Sequence, residues 1–101
     1  EPEIEQVMVD GDHRPWLAGV IVPSDEVRAK AASDRELEIL ITDAVDSANT
    51  RLSQIERVRR FVIAPEAFST ENSQLTPTLK IRRHVVRAAY ADKLDALYKR
   101  R

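Results

Sequence analysis

The chain has no cysteine in its 101 residues, which rules out a disulfide framework and any thiolate zinc site. Two histidines, with no acidic partner at a metal-ligand spacing, give no basis for a metal centre. Aromatic residues make up 5% of the chain, too few for the stacking platforms of a single-strand nucleic-acid binder, and the sequence pI is only about 6.2. Long apolar runs are also missing. None approaches the roughly 20 residues that cross a bilayer, and the start, with Glu1, Glu3 and Glu5, is unlike a signal or transit peptide. These features point to a cytoplasmic chain, or one peripheral to a membrane.

The chain does have the material for one modest core. Hydrophobic residues make up 43% and charged residues 33%, the balance of a folded globular domain rather than a disordered segment. Net charge is -1, but it is unevenly spread. Residues 1 to 49 carry twelve acidic and four basic side chains, whereas residues 80 to 101 carry eight basic and two acidic. The basic end is either an anion-binding surface or the solvated face of a C-terminal helix.

Hydrophobic patterning predicts an α+β domain with a small sheet of about three strands, a hairpin plus one, covered by helices in the order β-β-α-α-β-loop-α. Ile4 to Val9 and Leu17 to Val22 form the hairpin around Asp10-Gly11-Asp12. The second of these strands is apolar without alternation, so it belongs inside the sheet with both faces covered. Ser24 can cap a short helix from Asp25 to about Ala32. Ser33 or Asp34 then starts a longer one, in which Leu37, Leu40, Ile41, Ala44, Ala48 and Leu52 recur at helical spacing. Val58 to Ile63 is the third strand, closed by Ala64-Pro65, and Ser69 to Ser73 has the composition of an exposed loop. From about Ile81, apolar positions predict one or two amphipathic helices, broken near Tyr90-Ala91-Asp92.

One segment has the character of a reactive site. Leu75-Thr76-Pro77-Thr78-Leu79-Lys80-Ile81-Arg82-Arg83 sets a lysine between a proline-stiffened turn and the first turn of a basic helix. Pro77 fixes its own φ and restrains Thr76, so the loop loses little entropy on ordering. Such a loop suits a side chain delivered to another surface. A lone exposed lysine is more often simply solvated, and Thr76 and Thr78 can serve only to satisfy loop backbone groups. His13 and His84 read as surface residues, and Trp16 as a hairpin-edge packing residue.

The wider segment Glu71 to Arg83 resembles the last signature motif of the long-chain fatty acid-CoA ligases (long-chain acyl-CoA synthetases), within the AMP-binding, adenylate-forming ligase superfamily. Its Thr-Pro-Thr-Leu-Lys wording stands where shorter-chain relatives have Ser-Gly-Lys. Val7 to Pro23 resembles the family's hairpin, with Gly11-Asp12 and Arg14-Pro15 flanking the turn, and Asn49, Leu52, Ile55-Glu56 and Tyr98 extend the likeness over nearly the whole chain.

The resemblance implies a C-terminal lid domain spanning residues 1–101, inactive alone, whose partner is its own large N-terminal domain upstream of Glu1. That domain would hold the nucleotide pocket and acyl tunnel. Fatty acid, ATP with Mg2+ and coenzyme A are then the ligands of the intact enzyme, with none expected on this fragment. Lys80 is the implied catalytic residue, and Arg82, Arg83 and Thr78 are the implied ligand-binding residues, with Arg87 a lesser candidate. No nucleic acid and no transmembrane segment are expected. An apolar face bared by the absent domain is able to drive dimerisation in a crystal. The alternative is a non-catalytic binding module whose basic C-terminal helix docks on nucleic acid or an acidic protein.

Overall fold

The computed structural model describes residues 3–11, 17–51 and 58–99. Expectations placed on Asp12, His13, Arg14-Pro15, Trp16, Leu52, Ile55 and Glu56 lie outside the described residues. Seven elements follow in chain order: β1 (Ile4–Asp10), β2 (Leu17–Pro23), α1 (Asp25–Lys30), α2 (Asp34–Asn49), β3 (Val58–Ile63), α3 (Arg83–Ala89) and α4 (Ala91–Lys99). This is the α+β order read from the sequence, with the final helical stretch divided in two.

The sheet has the order β1-β2-β3, so β2 is its central strand. It runs antiparallel to β1, with Met8 opposite Val20, and parallel to β3, with Val20 opposite Val62. Pairing on both edges and burial on both faces explain why Ala18 to Val22 carries no polar side chain. The two faces are covered by different helices. Met8, Ala18, Val20, Val22 and Val62 pack with Phe68, Val86, Tyr90 and Leu94, which puts α3 and α4 on one side. Ile21 packs with Val27, Leu37, Ile41 and Val45, which puts α1 and α2 on the other.

Local chemistry sets where the elements start. The Ser24 hydroxyl accepts from the Val27 N–H at 3.2 Å, capping α1, and Asp25 and Glu26 follow in its first turn. At α2, Ser33 is the cap: its hydroxyl accepts from the Glu36 N–H at 3.1 Å while the Glu36 carboxylate accepts from the Ala32 N–H at 3.1 Å. Helix α2 ends at Asn49, whose side chain grips β3 from both directions. Its Nδ2 donates to the Val58 carbonyl at 2.8 Å and its Oδ1 accepts from the Val58 N–H at 3.1 Å.

A matching clamp ties the segment after β3 to β1. Gln6 Oε1 accepts from the Phe68 N–H at 2.8 Å, and Gln6 Nε2 donates to the Phe68 carbonyl at 3.3 Å. This side chain extends the sheet's pairing to an irregular segment and holds Phe68 in the core. The chain then runs directly into the candidate site. On the opposite face, Ile4, Val7, Val9, Leu17, Ile21 and Val45 line an open apolar concavity of about 240 Å³.

Candidate functional site

Residues 74–82 fold into a miniature hairpin, where the sequence reading has an extended turn leading into a helix. Leu75 and Ile81 form an isolated antiparallel bridge, and the Arg82 N–H donates to the Gln74 carbonyl at 2.9 Å. Helix α3 begins only at Arg83, three residues after Lys80. The later start has a simple cause: the N–H and C=O groups of Lys80 and the N–H of Arg82 are used in the hairpin. Leu75 and Ile81 pack against the core cluster around Val86 and Tyr90, so the stem is anchored while the tip is not.

The tip is a tight turn. The Thr76 carbonyl accepts from the Leu79 N–H at 2.8 Å, with Pro77 and Thr78 at the corner. Pro77 has no N–H to lose and its ring presets φ for the first corner position, which suits it to this place. Leu79 then takes φ 67°, the left-handed region, and turns the chain back. For a residue with a Cβ this conformation costs about 1–2 kcal/mol, whereas glycine adopts it freely.

Thr76 holds both backbone groups of Lys80. The Thr76 N–H donates to the Lys80 carbonyl at 2.8 Å, and Thr76 Oγ1 accepts from the Lys80 N–H at 3.0 Å. The same hydroxyl lies 3.1 Å from Thr78 Oγ1. Thr76 is therefore a structural organiser of the tip, and Thr78 is an exposed hydroxyl attached to it.

Asn72 braces the base of the hairpin. Its Oδ1 accepts from the N–H groups of Ser69 and Gln74, each at 3.0 Å, and its Nδ2 donates to Glu66 Oε2 at 3.0 Å and the Ala67 carbonyl at 2.9 Å. Gln74 beside it is 6% exposed, with its Oε1 unpaired among the described residues. The polar composition of this stretch marks a loop, but nothing in that composition reveals a braced one.

Of the four cations near the tip, three are held by the protein itself. Arg82 Nη1 donates to the Ser73 carbonyl at 3.3 Å, and Arg83 Nη2 donates to the Val9 carbonyl. Arg87 Nε donates to Asp10 Oδ1 at 2.9 Å, an ion pair whose carboxylate is almost fully buried. Arg83 and Arg87, one helical turn apart, thus tie α3 to the end of β1. Lys80 differs from all three. Its side chain is exposed and engages no partner among the described residues.

Positive charge at the start of α3 also runs against the helix dipole. Arg82 occupies the cap position without a side-chain capping bond, and no acidic residue lies in the first turn. Lys80, Arg82 and Arg83 therefore make a region of positive potential around an outward-facing hairpin. Sequence reasoning named these three and Thr78, but it missed the left-handed Leu79 and the brace at Asn72.

A family model described as the AMP-binding enzyme C-terminal domain matches residues 1–101. The chain belongs to that family. Among similar proteins, the long-chain-fatty-acid–CoA ligase FadD15 of Mycobacterium tuberculosis is 32% identical, over 96% of this chain and 19% of its own length. The chloroplastic long-chain-fatty-acid–[acyl-carrier-protein] ligase AEE15 of Arabidopsis thaliana is 31% identical, over 94% of this chain and 13% of its own. A solved structure of the A-PCP didomain of a carboxylic acid reductase from Segniliparus rugosus, in complex with AMP, superposes with a TM-score of 0.83 at 31% identity. The match covers 96% of this chain and 14% of that one. The chain thus spans less than a fifth of the length of these relatives.

Proposed function

We propose that this domain is the mobile C-terminal domain of an ATP-dependent, AMP-forming long-chain fatty acid–CoA ligase, and that Lys80 is its contribution to acyl adenylate formation. The observation that carries the reading is the placement of Lys80 at the exposed tip of a braced hairpin, without a partner among the described residues. A large N-terminal domain of the same polypeptide would supply the nucleotide and acyl sites, and the short span of this chain within its relatives supports that division.

Adenylation brings two anions together. The fatty acid carboxylate oxygen attacks the α-phosphorus of ATP, the new acyl–phosphate bond forms, and the bond to pyrophosphate breaks. An ammonium between carboxylate and α-phosphate offsets their repulsion and stabilises the charge that develops in line. No proton transfer by Lys80 is required. Thr76 holds the Lys80 backbone, while Thr78, Arg82 and Arg83 are the remaining ligand candidates, lying at the same tip or beside it. Arg82 and Arg83 would need to share or exchange their present backbone acceptors to reach a phosphate. Among the described residues no group of three His, Cys, Asp or Glu side chains is placed to hold a metal ion.

In the second half-reaction the coenzyme A thiol displaces AMP from the acyl adenylate. The relative named as an acyl-carrier-protein ligase supports a second reading for this step alone, with a carrier-protein thiol as acceptor. A binding-module function for the basic helix has less support. Arg83 and Arg87 are turned onto β1 and Arg82 onto Ser73, rather than forming an open cationic face.

The test is Lys80→Ala in the full-length enzyme. Pyrophosphate release with fatty acid and ATP should fall about 10²- to 10³-fold, while thioester formation from supplied acyl adenylate continues, because the domain is rearranged between the two steps. An equal fall in both half-reactions, or no fall in either, would overturn the assignment.

A further inference from the structure

Leu79 combines two features that coincide nowhere else among the described residues. It is the most exposed large apolar side chain, at 69%, and its backbone lies at φ 67°. Val7 and Ile39 are also exposed, but they lie in a strand and a helix with ordinary backbone. Ser73, the other non-glycine residue at positive φ, is small and polar. A turn of this shape needs only a residue that tolerates the left-handed region, and glycine or asparagine does so with less strain. A leucine there holds an apolar side chain in water at the tip of a braced hairpin, directly before Lys80. Strain that the surrounding structure maintains at such a position is typical of a functional contact.

We infer that Leu79 is a positioning residue for Lys80. Its side chain seats the hairpin tip against an apolar surface of the large domain, at the rim of the site that receives the acyl chain. This rests on the function proposed above. The partner follows from one observation and from the proposed function: most of the polypeptide in similar proteins lies outside this domain, and on the proposed function the group Lys80 must reach is the carboxylate end of an apolar chain. Wherever Lys80 meets that carboxylate, Leu79 arrives one residue away. The contact forms in the adenylating arrangement and is broken when the domain moves for thioester formation, so it acts on one half-reaction only.

The experiment uses the full-length enzyme with Leu79→Gly, Leu79→Asn and Leu79→Met beside Lys80→Ala. Glycine and asparagine both suit the turn, so the fold is retained and the thermal midpoint should equal or exceed that of the parent. The kcat for pyrophosphate release should fall at least about tenfold in both, since small misplacements of a catalytic group have effects of that order or larger. Thioester formation from supplied acyl adenylate should be unchanged, and methionine, still apolar and of similar volume, should retain most of the adenylation rate. Parent-like pyrophosphate release in Leu79→Gly or Leu79→Asn overturns the inference, as does an equal loss in both half-reactions. If either occurs while Lys80→Ala is inactive in adenylation, the lysine's role survives and only the positioning contact is lost. An active Lys80→Ala overturns the proposed function and this inference with it.

Discussion

Thr76 closes a ring around Lys80, donating its own N–H to the lysine carbonyl at 2.8 Å and accepting the lysine N–H on Oγ1 at 3.0 Å. Both bonds fix the backbone from which the ammonium is presented, and only the second needs the hydroxyl. Thr76→Val keeps the shape and β-branching but removes that acceptor. Because the tip is exposed, water can replace the lost bond and stability should change by less than about 1 kcal/mol. On the proposed function, adenylation in the full-length protein should nevertheless fall roughly tenfold through looser positioning, an effect read by pyrophosphate release. Thr76→Ser should restore most of the rate, and a valine variant as active as the parent would remove the hydroxyl from the positioning machinery.

The pair between Arg87 and Asp10 joins α3 to β1 across 77 residues of sequence. Its carboxylate side chain is 7% exposed, so the bond is better protected from water and salt than a surface ion pair. Arg87→Ala should lower the free energy of unfolding by about 1–2 kcal/mol, measured by urea denaturation. Lysine should be an incomplete substitute, because the donor is Nε, within the planar guanidinium, rather than a terminal ammonium. A full recovery in Arg87→Lys would show that charge alone matters here.

Asn49 offers a sharper test, since it acts as donor and acceptor toward one residue, Val58. Asn49→Ala removes both bonds at the junction of α2 and β3 and should cost about 1–3 kcal/mol. Asn49→Asp retains an acceptor for the Val58 N–H but sets a carboxylate oxygen against the Val58 carbonyl. That carboxyl would favour its protonated, donating form in the folded state. Its pKa is then raised on folding, and the aspartate variant should regain stability as pH falls through that raised value toward the ordinary carboxylate range. Chemical denaturation of both variants at neutral and mildly acidic pH measures this, and an aspartate variant that gains nothing on acidification would contradict it.

How far the sequence revealed this architecture depends on the length of each signal. The unbroken apolar run of β2 marks it as central, and Ser24 and Ser33 mark helix starts by capping chemistry that acts within four residues. The break in the last helix is legible at Tyr90, which ends α3 while its carbonyl accepts from the Leu94 N–H in α4 at 2.9 Å. The hairpin that presents Lys80 could not be read in the same way. Its stem is a single bridged pair, Leu75 and Ile81, too short to show a period of two. Leu79 gives no sequence sign of its left-handed backbone, because turn signals are carried by glycine and asparagine rather than leucine. The lysine was therefore marked as a candidate by its neighbours, but its support was not legible. The same holds for Gln6 and Asn49, whose amides imitate backbone pairing with residues 62 and 9 positions away, distances that no local pattern records.

Tyr90 links the core to alkaline stability. It is 8% exposed within the cluster that includes Val86 and Leu94, and its phenol is pushed above the ordinary tyrosine value, first by burial and second by the negative charge of Glu66. Both causes disfavour the phenolate in the folded state. A group whose pKa is raised on folding contributes stability that is fully present below its unfolded value, near 10, and is lost as pH rises through the folded value. Tyr90 should therefore leave stability unaffected at neutral pH and weaken it only above about pH 10. Lysines titrate in the same range, so the measurement must be a difference. Unfolding free energies of the parent and Tyr90→Phe, compared from pH 8 to 11, should run parallel at first and then converge or cross, as the parent loses stability that phenylalanine cannot lose. Curves that stay parallel to pH 11 would mean that the buried phenol opens to solvent without cost. In that case α3 and α4 would be more loosely docked on the sheet than their packing indicates.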